Sequence, residues 1–333
     1  VSLAFDTGAR RDKGDVLAHD VAKGLASRQK TLPAYLFYDA RGSALYERIT
    51  VLPEYYLTRA EASIFRSSVG RILERAAARA NQPLTVVELG AGTCTKSELL
   101  LRILLGRQKQ VTFVPTDISR SALDLARHRL AATLPELHVQ PLIHTHEDAL
   151  AALARHRPSS GDAYLVMFIG SSIGNYPDVD AVALLSSIRA GLGPDAQLLL
   201  GTDLRKSPAK LLPAYDDAEG VTAAFNKNIL VRLNRELGAR FDVERFRHVA
   251  RWNDEDSQIE MHLESQGAMD VHIDELGYSV HFDDGETIHT ETCIKYDLPH
   301  VDRLLVRSGF SRSESFFDEG KSVALHLAQG VAD

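Results

Sequence analysis

Between about Glu61 and Asp203 the chain alternates short apolar runs with helical patterns, and this alternation restricts the fold more tightly than anything else in it. The runs 85–89 (TVVEL), 112–116 (TFVPT), 137–143 (LHVQPLI), 164–169 (YLVMFI) and 197–201 (QLLLG) have the length and apolar character of strands. Between them, 96–105, 122–134 and 179–192 read as helices. In the last, Ala181, Leu184, Leu185, Ile188 and Leu192 recur at helical spacing. Strand–helix–strand units of this kind build a parallel sheet covered by helices on both faces. The expected fold is α/β with a Rossmann-like sheet.

The alternation stops after the fifth run. From Lys206 to about Thr290 the chain is more polar and richer in His, Asp and Asn. A helix over 223–237 is followed by alternating segments at 260–264, 269–273, 278–282 and 287–292, which read as antiparallel strands. A helix over 299–308 and strands over 311–317 and 322–328 then return to complete the first sheet. Residues 60–204 plus 293–333 therefore form one expected domain. Residues 1–59 plus 205–292 form the other, an insertion with the amino-terminal segment packed on it.

Composition narrows the class of partner. Of 333 residues, 44% are hydrophobic and 25% charged, enough to bury a large core without disulfides. Two cysteines, Cys94 and Cys293, give no disulfide framework and fit a reducing compartment. No apolar run approaches the roughly 18 residues of a membrane span, and the opening VSLAFDTGARRDKGD has no signal-like stretch. A cytoplasmic monomer is expected. With 45 acidic against 38 basic residues the net charge is −7, which disfavours a nucleic-acid substrate and favours a small molecule.

Glu88-Leu-Gly90-Ala-Gly92 follows a strand and opens a helix, the setting of a nucleotide-type loop in which glycines let the backbone turn tightly against a ligand. A nicotinamide dinucleotide site wants a third glycine where Thr95 stands. A P-loop also wants glycine there, and Glu88 would set a carboxylate beside its phosphates. S-adenosylmethionine has no phosphates. It carries an ammonium, a carboxylate, a ribose diol and a sulfonium. Lys96 and backbone N–H groups suit its carboxylate, Glu88 is tolerated, and Asp117 is placed to accept from the ribose hydroxyls. The loop favours the methyl donor, with a dinucleotide oxidoreductase as the rival.

Longer strings go further: LPAYLFYD (32–39), LPEYYLTR (52–59), FIGSSIGN (168–175), GTDL (201–204), AYDDAEGVTAAFNKN (214–228), NREL (234–237) and IEM (259–261). Together they resemble the histidine-specific Nα-methyltransferase family of ergothioneine biosynthesis, over about residues 32–294. The resemblance implies conversion of L-histidine to its trimethyl betaine, hercynine, with S-adenosylmethionine as donor. It implies that Asn175 and Tyr215 hold the substrate carboxylate, and that Tyr38, Gly170 and Ser172 surround the amine. Glu291 and the residue two beyond it would read the imidazole, while Met261 packs against the ring. Tyr55 would serve both substrate and donor, and Gly90, Gly92, Lys96 and Asp117 the donor.

Two positions depart from that family. Cys293 stands where a serine bonds the second ring nitrogen, and a thiol is a weaker hydrogen-bonding group. Tryptophan or tyrosine therefore stays open as an alternative acceptor. After the third strand, Thr145 falls where an acidic residue would meet the adenine amine. His144, His146, Glu147 and Asp148 could suggest a metal site, but the chemistry needs no metal and a solvated loop is the expectation.

Overall fold

The structure, a computed structural model, describes residues 13–77, 83–155 and 163–331. Residues 1–12, on which the expectation of no signal-like stretch mostly falls, lie outside the described residues. Along the chain, α1 (Lys13–Leu25), β1 (Lys30–Thr31) and α2 (Ala40–Thr50) precede the long helix α3 (Tyr56–Ala77). The alternating region follows as β2 (Leu84–Leu89), α4 (Glu98–Leu105), β3 (Thr112–Asp117), α5 (Arg120–Thr133), β4 (His138–Val139) and β5 (Leu142–Ile143). It continues through α6 (His146–Arg155), β6 (Ala163–Phe168), α7 (Asp178–Leu192) and β7 (Gln197–Asp203). The short α8 (Pro208–Leu211) and α9 (Val221–Glu236) lead to β8 (Phe246–Asn253), β9 (Gln258–Ser265), β10 (Met269–Ile273), β11 (Tyr278–Phe282) and β12 (Thr287–Ile294). Then come α10 (Leu298–Arg307), β13 (Phe310–Phe317) and β14 (Val323–Gly330).

The chain divides into two compact units. The larger comprises Glu47–Ala214, Trp252–Ile259 and Thr292–Asp333. Its eight-stranded sheet runs β13-β14-β7-β6-β2-β3-β4, with β5 also on β3. β2, β3, β4, β6 and β7 pair in parallel, while β14 lies antiparallel to β7 and to β13. Every residue of β6 and β7 is buried, as central strands covered on both faces require. From β2 the chain runs outward through β3 to β4, then crosses back to β6 on the other side of β2 and on to β7. That reversal opens a crevice at the carboxyl ends of β2 and β6, where open α/β sheets bind ligands.

Local chemistry sets the element ends. Ser119 caps α5 by accepting from Ala122 N–H. Asp297 caps α10 through His300 N–H at 2.7 Å, with Pro299 in the first turn. The single strand expected at 137–143 is instead two short ones. Pro141 has no N–H to give the ladder, so pairing lapses between Val139 and Leu142. Outside that break, the anticipated strands and helices occur with ends shifted by one or two residues; β1 and β8 have no counterpart among the anticipated strands.

The smaller unit takes in residues up to Tyr46, Tyr215–Arg251 and Glu260–Glu291. A four-stranded sheet ordered β1-β12-β9-β8 and the hairpin β10–β11 form its β-structure. Residues 47–59 and 205–214, which the sequence places with the insertion, belong to the larger unit. Tyr56 shows why: its hydroxyl donates to Asp203 at the end of β7 at 2.7 Å.

Candidate active site

In the larger unit the chain leaves β2 and turns through Gly90 (φ 70°), Gly92 (φ 51°) and Cys94 (φ 56°), all left-handed. Asp117, the last residue of β3, pins this turn. One carboxylate oxygen accepts Gly92 N–H at 2.8 Å and the other accepts Ser119 N–H at 2.8 Å. A carboxylate has about four acceptor positions, so two remain for hydroxyl donors. Glu88 is buried below the turn and accepts from the Ser97 hydroxyl. Burial pushes its carboxyl up to about 7, with Ser97 and Lys96 opposing and the negative Glu61 and Asp117 reinforcing.

Lys96 bonds a group the sequence did not single out. Its ammonium pairs at 2.6 Å with Glu61, a wholly buried carboxylate on α3 whose other oxygen accepts Gly170 N–H at 2.5 Å. A signal existed. Glu61 sits in the buried stripe of α3 beside Leu57, Ala60, Ile64 and Phe65, where a carboxylate is out of place unless something pairs it.

The expected solvated loop at 144–148 is corrected. Thr145 accepts Asp148 N–H at 3.2 Å and starts α6, leaving its hydroxyl engaged in the helix turn. His146 is half-buried rather than solvated. Its ring stands edge-on to Phe168, 5.0 Å between centroids, and its Nδ1 lies 2.8 Å from the Tyr176 hydroxyl. Burial lowers its pKa, so it stays neutral near pH 7. A Cβ added to Gly90 would lie 3.2 Å from His146 Nε2, so the ring faces the donor turn. Among the described residues no group of three or more His, Cys, Asp or Glu is placed to hold a metal ion.

At the end of β6, Gly170 (φ 79°) and Ser171 (φ 59°) begin a second turn. A Cβ on Gly170 would stand 3.3 Å from Lys96 Nζ and 3.7 Å from Ser172 Oγ, so these three expected site residues do come together. Gly174 is seated against the end of β12. A Cβ there would meet Ile294 O at 2.8 Å and Cys293 Sγ at 3.5 Å, while Asn175 follows half-buried. Cys293 receives a hydrogen bond from Lys295 Nζ at 3.0 Å, and Lys295 also pairs with Asp203 at 3.0 Å. Burial pulls the Lys295 pKa down, but Asp203 and Cys293 outweigh it and keep the ammonium charged. Tyr55 is buried, its N–H bonded to Leu52 O at 3.2 Å.

The smaller unit holds the other expected residues. Tyr38 and Tyr46 meet edge-on at 6.0 Å, and Phe225 lies 5.9 Å from Tyr38 and 6.1 Å from Tyr46, an aromatic cluster whose third member the sequence did not mark. Tyr215 is buried, and its carbonyl accepts from His248 Nε2 at 2.8 Å. Met261 falls in the inward series Ile259, Met261, Leu263 and Ser265 of β9, the pattern of a core residue. Glu291 is half-buried on β12, and its carbonyl lies 2.9 Å from His289 Nε2.

Residues 17–330 match the sequence model of the family described as "Histidine-specific methyltransferase, SAM-dependent". The chain is 39% identical to the "Histidine N-alpha-methyltransferase" of Mycolicibacterium smegmatis over 326 residues, covering 98% of this chain and 97% of that protein. It is also 39% identical to the protein of the same name from Mycobacterium tuberculosis over 329 residues, 98% of this chain and 99% of that one. The "Ergothioneine biosynthesis protein 1" of Neurospora crassa is 33% identical over 218 residues, 65% of this chain and 24% of the other.

Proposed function

The chain belongs to the histidine-specific, S-adenosylmethionine-dependent methyltransferases, and from that premise we propose that it methylates the α-amino nitrogen of L-histidine three times, to give hercynine for ergothioneine biosynthesis. One observation carries the reading to this molecule. The Gly90–Asp117 turn and the Gly170–Asn175 turn lie at the carboxyl ends of neighbouring parallel strands, where the strand order reverses. Another aromatic amino acid as acceptor is the less favoured reading, and the departure at Cys293 speaks for it.

The residues present fit the donor. S-adenosylmethionine supplies an electrophilic methyl group on a sulfonium. Glu61 and Asp117 lie near Glu88, and Lys96 is paired with Glu61, so the turn is rich in carboxyl groups and suits a ligand bearing ammonium and sulfonium charge. In the roles we assign, Asp117 accepts from the ribose hydroxyls on its spare lone pairs, and Gly90 and Gly92 leave the backbone open. Lys96 and Tyr55 meet the carboxylate end. The half-buried, neutral His146 is a better placed neighbour for the adenine than the exposed Thr145.

For the acceptor, Asn175 and Tyr215 bind the carboxylate, Gly170 and Ser172 lie beside the amine, and Glu291 and Cys293 read the ring with Met261 packed behind. The chain's task is orientation, which for well-held reactants supplies roughly 7–11 kcal/mol of a barrier. The attacking amine must be neutral, while a peptide-type α-amino group has a pKa near 8 and a free amino acid's is higher, so a proton passes to water before each transfer. As methyl groups replace N–H donors, hydrogen bonds lose their partners, and the Tyr38–Tyr46–Phe225 cluster offers aromatic faces to the growing cation. Such contacts are worth roughly 0.5–2 kcal/mol.

We place the protein in the cytoplasm as a monomer. Among the described residues no helix is long and apolar enough to cross a membrane. The deciding experiment is mass spectrometry after incubation with isotopically labelled donor and a panel of amino acids. Three labelled methyls on histidine, at higher kcat/KM than on tryptophan or tyrosine, is the expected result. Preference for another amino acid transfers the assignment to it, and labelling of none removes it.

A further inference from the structure

A carboxylate that no motif announces joins the donor turn to the acceptor turn. Glu61 lies in the apolar stripe of α3 and is wholly buried. An ionised carboxylate is held in such a place only when it is paired and hydrogen-bonded, and an apolar residue would pack there with less penalty. Its two partners come from different turns. Oε2 accepts from Lys96 of the donor turn at 2.6 Å, and Oε1 accepts the N–H of Gly170, which opens the acceptor turn, at 2.5 Å. The surroundings are shaped for it. A Cβ on Gly201 of β7 would stand 3.0 Å from Glu61 Oε1, and one on Gly170 would stand 3.3 Å from Lys96 Nζ. Glycine at both positions leaves the space that the carboxylate and the ammonium occupy.

We propose that Glu61 is a positioning residue that couples the donor turn and the acceptor turn of the larger unit. It aims the Lys96 ammonium at the donor's carboxylate and fixes the Gly170 amide beside the amine to be methylated. A donor that engages Lys96 draws on the same carboxylate that holds Gly170, so filling the first turn sets the geometry of the second. Coupling of this kind is reciprocal: each substrate raises the affinity of the other by the same factor. The inference rests on the reading of the site as a histidine methyltransferase.

Calorimetry on the full chain tests it. Glu61→Gln keeps an acceptor for Gly170 N–H but removes the charge that holds Lys96. Donor Kd is expected to rise about 10-fold in Glu61→Gln and about 10-fold in Lys96→Met. In the double variant the rise stays near 10-fold instead of reaching about 100-fold, because both changes break one interaction. The ratio of histidine affinities with and without the demethylated donor should fall towards 1 in Glu61→Gln and be partly restored in Glu61→Asp. A purely structural role would not move that ratio. Additive losses, an unchanged donor Kd or an undiminished ratio each overturn the proposal. If Glu61→Gln does not fold, Lys96→Met, which breaks the same pair from the other side, is read by the same ratio of histidine affinities. Failure of the underlying reading looks different, since the unaltered protein would then leave histidine unmethylated while donor titrations still report on Glu61.

Discussion

The donor turn and the acceptor residues are built in opposite ways. Gly90, Gly92, Lys96 and Asp117 lie between residues 90 and 117, on two adjacent parallel strands and the turn that leaves one of them. The expected acceptor residues run from Tyr38 to Cys293 and belong to both compact units. The first group is a local device, dictated by strand, turn and strand. The second depends on long-range folding, so its members are tied together less closely. Donor chemistry should therefore tolerate damage to acceptor residues, and the reverse should hold less well.

The sharpest way to break that contrast is Glu291→Ala. Removing a polar partner for the imidazole is expected to cut kcat/KM for histidine about 10³-fold or more while donor Kd stays within about 2-fold. Histidine affinity that is unchanged by calorimetry would end the assignment of Glu291.

Asp117→Asn comes next. An amide turns an N–H towards Gly92 N–H or Ser119 N–H, which now donate to a carboxylate. Donor Kd should rise about 10–100-fold, the loss of a charge-assisted hydrogen bond worth roughly 1.5–3 kcal/mol. An equal loss for histidine in the absence of donor would show that the two groups are not separable.

A smaller effect is expected with pH. Glu88 is raised from 4.5 to about 7 in the folded protein. Because the folded state holds this proton more tightly than the unfolded one, the group's stabilising contribution is complete below 4.5 and is lost as pH rises through 7. Ionised Glu88 in turn favours a cationic donor, so donor Kd should fall with rising pH by up to about 10-fold per unit below 7 and level off above it. Both slopes should vanish in Glu88→Gln, measured by thermal melts of the free protein and by donor titration. A slope that persists in the variant assigns the proton to another group.

The smallest change expected is Cys293→Ser. A hydroxyl bonds Lys295 and a ring nitrogen better than a thiol does, which should lower the KM for histidine about 3–5-fold, or roughly 1 kcal/mol. A rise in KM would mean that the thiol is the better fit to the acceptor this chain prefers.

Much of this molecule is legible in its residues alone. Alternation of apolar runs implies the parallel sheet, and Glu88, Gly90, Thr95 and Asp117 separate a methyl-donor turn from its look-alikes, because each acts on neighbours close in sequence. What escapes such a reading is set by distance or by packing. Glu61 meets Lys96 across 35 residues, and Phe225 reaches the Tyr38 ring from the insertion. His146 reads as part of a polar stretch because its neighbours Glu147 and Asp148 are exposed, whereas its own ring lies against Phe168. Pro141 is the exception, a local signal that by itself argues against one continuous third strand.

The place of β14 has a consequence for how the protein is made. The strand lies between β7 and β13, antiparallel to both, yet it is synthesised more than a hundred residues after β7. While the insertion emerges from the ribosome, the edge of β7 has no strand beside it. An unpaired edge of apolar residues is an invitation to pair with another chain. Nascent chains halted before Val323 should therefore be open to aggregation and proteolysis at Gln197–Asp203, and pairing of β14 should be the step that covers that edge.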